Sequence, residues 1–322
     1  MTNNASKTAV ITGASSGVGL ETARQLAQAG YGRIVVTART ARKAEEARAS
    51  LLADQPAATF VPLTLDLDDL NSVAAAAKSL IADGHQIGAL VLNAGVAPTP
   101  VLRLTAGGIE QIMQATLVGH HALTMHLLNA KLLSQTARII IAGSEAARGD
   151  VPMFSVIDID ALAAESFDGD LELAIDAVLR VEEPVKYVSN NQYATVKTFA
   201  VWWAKELASR LPAGMTVNAV SPGNTPGTKA ARGMSAMTRH VLMPIMKLIP
   251  AIAHSVPTAA ARYLAVIDMP DDVTGRFFAS PPKKMVGPLT EMTMSHFSNP
   301  EAQRALWNVA DRVAPVTSAE TK

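Results

Sequence analysis

Along most of the chain, short β-branched and aliphatic runs alternate with longer stretches of helical periodicity. The runs are TAVIT (8–12), RIVVTA (33–38), TFVPLTLD (59–66), IGALVLN (87–93), RIIIAGS (138–144) and MTVNAVS (215–221), with TGRFFA (274–279) as one more near the end. They are continuously apolar, the pattern of strands covered on both faces of a parallel sheet. Between them VGLETARQLAQAG, ARKAEEARASLLA, DDLNSVAAAAKSLIADG and GIEQIMQATLVGHHALTMHLLNAKLL carry helical spacing. This regular order predicts one α/β domain built on a doubly wound parallel sheet.

Three segments break the rhythm. Residues 150–189 hold nine acids and one base, Arg180, between Asp158 and Glu183. DGDLELAIDAVLR places leucine, isoleucine and valine at helical spacing, so a short amphipathic helix is expected there. The segment is too short for a core of its own and reads as an insertion beside the sheet, its acids forming a solvated face rather than a metal site. Residues 229–256 read as a substrate lid; their most apolar part, 241–256, is broken by Pro244, Lys247 and Pro250 and reads as a pocket cover rather than a membrane-touching stretch. Residues 280–322 read as a C-terminal tail.

Composition narrows the function. With 322 residues, 49% hydrophobic and 17% charged, the chain has the makeup of a soluble globular protein with a large core. The formal net charge is zero and no basic run is present, which argues against nucleic acid as a partner. Cysteine is absent, which removes disulfides, thiolate nucleophiles and cysteine metal sites and fits a reducing compartment. The N-terminal residues do not read as a secretory signal, and no apolar run reaches the length of a membrane span, so a cytoplasmic location is expected. Of the seven histidines, His120, His121 and His126 share one predicted helix without metal-ligand spacing, and they read as core or surface residues.

The first strand runs into a glycine-rich turn and a helix. Gly13, Gly17 and Gly19 stand in a T-G-x-x-x-G-x-G pattern with Ser15, Ser16 and Val18 between them. Glycine lets the backbone turn tightly and lets a pyrophosphate approach the peptide planes, and the helix beyond presents N–H groups and its positive dipole end. The second strand ends VVTART, with no carboxylate to bind a ribose 2′-hydroxyl; Arg39 follows, with Arg42 nearby. A guanidinium suits a 2′-phosphate, so NADP(H) is favoured over NAD(H).

Ser144 closes a central strand, at the end where open α/β sheets bind ligands. Tyr193 is the one tyrosine with a lysine, Lys197, four places on, so both lie on one helix face. An ammonium near a phenol favours the phenolate and lowers its pKa, making the tyrosine a usable proton donor. Ser144 can hold a substrate oxygen by hydrogen bonding.

With TGASSGVG (12–19), LNAG (92–95), Ser144, YATVK (193–197) and SPG (221–223) in this order, the chain resembles the short-chain dehydrogenase/reductase family over roughly residues 7 to 225. The resemblance implies a Rossmann fold and an NADPH-dependent oxidoreductase that reduces a carbonyl or oxidises the alcohol. It implies Tyr193 as general acid/base, Ser144 as carbonyl positioner, and Lys197 as the residue that lowers the tyrosine pKa and holds the nicotinamide ribose. Asp66 and Leu67 would border the adenine. Asn93, Ala94 and Gly95 would support the cofactor and sheet, and Pro222 and Gly223 would pass beside the nicotinamide. A small-molecule substrate is implied, and pairing of two chains through the helices near 105–134 and 190–211 is a further expectation.

The chain departs from the family in three places. Thr116 stands where many members carry an asparagine that holds a water in the proton relay, which implies a modified relay. Ser144 and Tyr193 are 49 positions apart, a long gap that resembles the retinol-dehydrogenase-like and protochlorophyllide-reductase-like branches. PGNTPGT is irregular, so either Thr225 or Thr228 holds the nicotinamide amide. The methionine-rich and aliphatic lid suits a bulky, lipophilic substrate. Two other readings compete: C=C reduction of an enone or conjugated ring, against which the missing cysteines count, and a non-catalytic NADP-binding regulator, against which Ser144, Tyr193 and Lys197 count.

Overall fold

The computed structural model describes residues 7–225 and 253–316. Among these, eight strands form one sheet in the order β3-β2-β1-β4-β5-β6-β7-β8. The strands are β1 (Thr8–Ile11), β2 (Arg33–Ala38), β3 (Thr59–Thr64), β4 (Ile87–Leu92), β5 (Leu133–Ala142), β6 (Thr216–Val220), β7 (Phe277–Ala279) and β8 (Thr290–Glu291). All pairings are parallel except that of β7 with β8. Each apolar run of the sequence became a strand, and the central ones are covered on both faces. In β4, Leu90 and Leu92 pack to one side of the sheet and Ala89 and Val91 to the other. β5 repeats the pattern with Ile139 and Ile141 opposite Ile140 and Ala142.

Helices α1 (Gly17–Gln28) and α2 (Ala41–Asp54) follow β1 and β2, and α3 (Leu70–Asp83) follows β3. Thr40 and Asp69 cap the starts of α2 and α3 with their side chains. After β4 come a short turn α4 (Gln111–Met113), a π-helical segment (Gln114–Val118) and α5 (Gly119–Asn129). The long helix α8 (Ser189–Arg210) carries the Tyr193–Lys197 pair, and α9 (Val256–Ile267) packs against α1 on the opposite face. Reversal of the winding between β1 and β4 opens a crevice at their C-terminal ends, where such sheets bind ligands.

The segment 150–189 forms two helices, α6 (Ile159–Ser166) and α7 (Leu171–Arg180), capped by Asp158 and Asp170. Residues 280–316 are not a loose tail: they add β8 and end in α10 (Pro300–Val313), which packs on α7 and α8. Ile175, Val178 and Leu179 of α7 join Leu306, Trp307 and Val309 of α10 in the main core. The inserted helices therefore pack into the domain's own core. Most of the expected lid, 229–256, lies outside the described residues. No described helix is long and apolar enough to cross a membrane.

Candidate active site

A cavity of about 660 Å³ runs along the C-terminal ends of β1, β2 and β4 to the Tyr193–Lys197 pair. The glycine-rich loop forms its floor. Gly13 and Gly17 adopt φ of +66° and +59°, which side chains disfavour. Gly19 is required for a different reason: a Cβ there would sit 2.5 Å from Asn93 Nδ2 and 2.6 Å from the Gly13 carbonyl oxygen. The loop is tied down from both sides. Gly13 N donates to Thr37 Oγ1 at 3.2 Å, Asn93 Nδ2 to the Thr12 carbonyl at 3.0 Å, and Ala94 N to Thr12 Oγ1 at 2.9 Å. Ser16 makes no side-chain cap on α1, so the helix's first N–H groups meet the cavity directly.

Gly13, Ser15, Ser16, Gly17, Val18, Gly19, Arg39, Asp66, Leu67, Asn93, Ala94, Gly95, Pro222, Thr225, Tyr193 and Lys197 all line this cavity. Lys43 lines it beside Arg39, whereas Arg42 turns outward to pair with Glu46 on α2. Lys43 was missed in the sequence because it lies past the strand end, one helical turn from Arg39. Gly223 does not line the cavity; it packs against His254 and Arg262, and its N–H donates to Ser221 Oγ at 3.0 Å. Thr228 lies outside the described residues.

At the other end, the Lys197 ammonium donates to the Ala142 carbonyl at 2.7 Å and sits 5.6 Å from the centre of the Tyr193 ring. Ser144, just past β5, does not line the cavity but hydrogen-bonds Tyr193, and its Oγ accepts from Ala146 N at 3.2 Å. Burial holds the Tyr193 pKa above the usual phenol range; the Ser144 hydrogen bond opposes this and the Glu145 carboxylate adds to it. Burial alone pulls the Lys197 pKa down to about 8. The net direction for Tyr193 is therefore upward, set by desolvation, while the Lys197 ammonium is engaged by the Ala142 carbonyl.

Thr116 sits inside the π segment, fully buried, and its Oγ1 makes no hydrogen bond. A Cβ at Gly95 would lie 3.4 Å from that oxygen and 3.8 Å from Lys197 Nζ, so the three meet at one point. π turns of this kind recur at functional sites. Other neighbours were not legible in the sequence. Phe154 stands edge-on to Tyr193 with ring centroids 6.0 Å apart. Tyr263, from α9, lines the cavity and donates to Asn93 Oδ1 at 3.4 Å. Glu145 is buried beside Ser144, accepting from Ser221 Oγ, Ser280 N and Ser280 Oγ, with Arg262 at 3.7 Å. These contacts come from residues distant in sequence, with no local pattern to announce them.

The cavity's donor set fits a dinucleotide. It offers close backbone approach at the glycines, helix N–H groups for phosphates, and two cations where a ribose phosphate would lie. Among the described residues no cluster of His, Asp or Glu is placed to hold a metal ion.

The short chain dehydrogenase family matches residues 7–156. Retinol dehydrogenase 12 of Homo sapiens is 28% identical over 310 residues, covering 94% of this chain and 85% of the relative. Among solved structures, a short chain dehydrogenase from Burkholderia cenocepacia J2315 in complex with NADP superposes with a TM-score of 0.60 at 22% identity, covering 85% of this chain and 96% of that one. Salutaridine reductase from Papaver somniferum gives 0.62 at 20% identity, covering 84% and 99%. These two structures share the fold of the chain.

Proposed function

The chain belongs to the short-chain dehydrogenase/reductase family, as an NAD(P)-dependent oxidoreductase of its retinol-dehydrogenase-like branch, and from that premise we propose that it reduces the carbonyl of a neutral, lipophilic small molecule with NADPH, or oxidises the matching alcohol. The observation that carries the reading is the meeting of Tyr193 and Lys197 at one end of the cavity, with Ser144 against Tyr193 just behind the lining. Arg39 and Lys43 at the opposite end support NADPH. The relative solved with NADP bound supports the same choice.

When bound, the nicotinamide supplies the hydride to the carbonyl carbon. The protein's part is proton delivery and placement. Ser144 donates to the substrate oxygen, and Tyr193 gives its phenolic proton to that oxygen as negative charge develops. Burial keeps Tyr193 protonated, which suits the reducing direction. Lys197 faces both Tyr193 and the cavity, where its ammonium would hold the nicotinamide ribose and favour the phenolate left behind. Thr116 Oγ1, buried and without a partner beside Gly95, is placed to hold a water that returns a proton toward Lys197. Thr225, which lines the cavity, is the threonine to hold the nicotinamide amide. Phe154, edge-on to Tyr193, and Val96, Ala97 and Pro98 in the cavity lining support an apolar substrate.

The test is NADPH consumption by the purified protein against ketones, aldehydes and enones of rising hydrophobicity. Turnover of ketones or aldehydes is the expected result. Turnover confined to enones would replace carbonyl reduction by C=C reduction, and NADPH binding without any turnover would make the protein a cofactor-binding regulator.

A further inference from the structure

His120 and His121 are neighbours on α5, both fully buried, and they point to different parts of the molecule. His121 faces the C-terminal helix: its Nε2 lies 2.8 Å from Asp311 Oδ1, its Nδ1 accepts from Trp203 Nε1 at 3.1 Å, and Trp307 packs edge-on to it. His120 faces the cavity wall. Its Nδ1 lies 2.9 Å from the Thr116 carbonyl oxygen and its Nε2 lies 2.8 Å from Thr12 Oγ1.

The chemistry of the partners fixes the protons. A carbonyl oxygen only accepts, so His120 Nδ1 carries the hydrogen. Nε2 then presents a lone pair, and the Thr12 hydroxyl donates to it. That hydroxyl's own lone pair takes the Ala94 N–H, and the Thr12 carbonyl takes Asn93 Nδ2. One imidazole therefore joins the residue before Gly13, the loop after β4, and the π turn whose Thr116 hydroxyl faces Gly95 and Lys197. Burial, with the Lys197 ammonium adding to it, lowers the His120 pKa to about 4, which keeps the ring neutral at working pH.

We infer that His120 is a positioning residue that locks the glycine-rich loop to the π turn bearing Thr116, as a neutral imidazole donating to Thr116 O and accepting from Thr12. The ring touches no reacting atom; it acts by holding the cofactor floor and the Thr116 backbone in fixed register. Its bearing on cofactor binding rests on reading the cavity as a dinucleotide site, whereas the bridge itself does not.

The experiment has two arms on the full chain. In ¹⁵N-histidine NMR at pH 8, His120 should show the Nδ1–H tautomer and His121 the Nε2–H tautomer, two opposite signatures at adjacent positions. An Nε2–H tautomer or an imidazolium at His120 would overturn the bridge. In the second arm, His120→Leu should weaken NADPH binding by about tenfold or more, since it removes both buried hydrogen bonds that tie Thr12 to the Thr116 carbonyl. His120→Gln can accept at Oε1 and donate from Nε2, and should restore binding to within about threefold by the same hydrogen-bond reasoning. His121→Gln should lower Tm without changing NADPH affinity. An unchanged NADPH Kd in His120→Leu would remove the positioning role. If the wild-type protein bound no dinucleotide, the cavity reading would fail, and a Thr12→Val, His120→Leu unfolding cycle would still decide the bridge. Non-additivity supports it and additivity overturns it.

Discussion

The two ends of the cavity are built on opposite plans. The end near Arg39 comes mostly from one stretch, β1 through the start of α2, bordered by Asp66 and Leu67 after β3, and works mainly through backbone: glycine conformations, helix N–H groups and two nearby cations. The end near Tyr193 is assembled from side chains carried by β5, the π turn, α8 and α9, at positions up to 147 residues apart between Thr116 and Tyr263. A backbone-built site tolerates change at most of its side chains but not at its glycines. A side-chain-built site depends on single atoms, each with one job, so its failures should be deeper and more selective.

The largest effect should therefore come at the assembled end. Tyr193→Phe keeps the ring beside Phe154 and Lys197 and removes only the hydroxyl. We expect kcat to fall by roughly 10²–10⁴, with NADPH affinity nearly intact. Rapid-quench turnover and cofactor titration measure the two separately; a variant keeping more than about a tenth of the rate would contradict proton donation by this tyrosine. The pH profile adds a second check. Because burial and the Glu145 carboxylate hold Tyr193 above the usual phenol range, the protonated form persists through neutral pH. Carbonyl reduction should stay level there, and alcohol oxidation, which needs the phenolate, should climb only on the alkaline side. Glu145→Gln removes one of the raising charges, so the oxidation limb should move to lower pH.

At the backbone-built end the losses should be smaller and confined to the cofactor. Arg39→Asp should cost NADPH binding about 1.5–3 kcal/mol, the range for charge-assisted hydrogen bonds, and NADH binding far less. Lys43→Ala should show the same selectivity at reduced size, since an ammonium is a point charge without a bidentate fork. Isothermal titration with both cofactors separates the cases, and equal losses on both would refute the 2′-phosphate assignment. Gly19→Ala comes next. Its new Cβ would press on Asn93 Nδ2 and the Gly13 carbonyl, an overpacking cost of about 1–3 kcal/mol that should fall on both cofactors alike.

The same contrast explains what the sequence disclosed. The backbone-built end was readable because its devices are local: three glycines after an apolar strand, and an arginine where a carboxylate would otherwise stand. The sheet was readable because continuous apolar runs survive only when covered on both faces, and those of β4 and β5 are. Ser144, Tyr193 and Lys197 were suggested by a strand end and by four-residue spacing, and gained weight only from their order along the chain. Glu145, Phe154 and Tyr263 were not, because nothing near them in sequence reports what they meet. The upward direction of the Tyr193 shift was not legible for a related reason: spacing shows a neighbouring charge but not the desolvation of the ring. The helix α10 lies in what read as a C-terminal tail, and its partner α7 is about 120 positions earlier, so the shared core of insertion and C-terminus was hidden.

That shared core yields the smallest expected effect. On its outer edge Glu172 of α7 accepts from Asn308 Nδ2 at 2.8 Å and Arg312 Nη1 at 2.7 Å, both on α10, and these bonds hold its pKa below the usual carboxylate range. A carboxylate with a depressed folded-state pKa contributes stability that is present above its unfolded value, near 4.3, and is lost as pH falls through the folded value. The pair is exposed to water, so the contribution should stay below about 1 kcal/mol and shrink in high salt. Glu172→Gln should thus lower Tm slightly at pH 7 in dilute buffer, and the gap to wild type should close in 1 M NaCl, where the Debye length is about 3 Å, or well below pH 4. Its kcat and KM should match wild type, because Glu172 ties α7 to α10 and no residue of either helix lines the cavity. A changed KM for the carbonyl substrate, with Tm unaltered, would mean that the insertion reaches the assembled end of the site and that the two ends are not as separate as their construction implies.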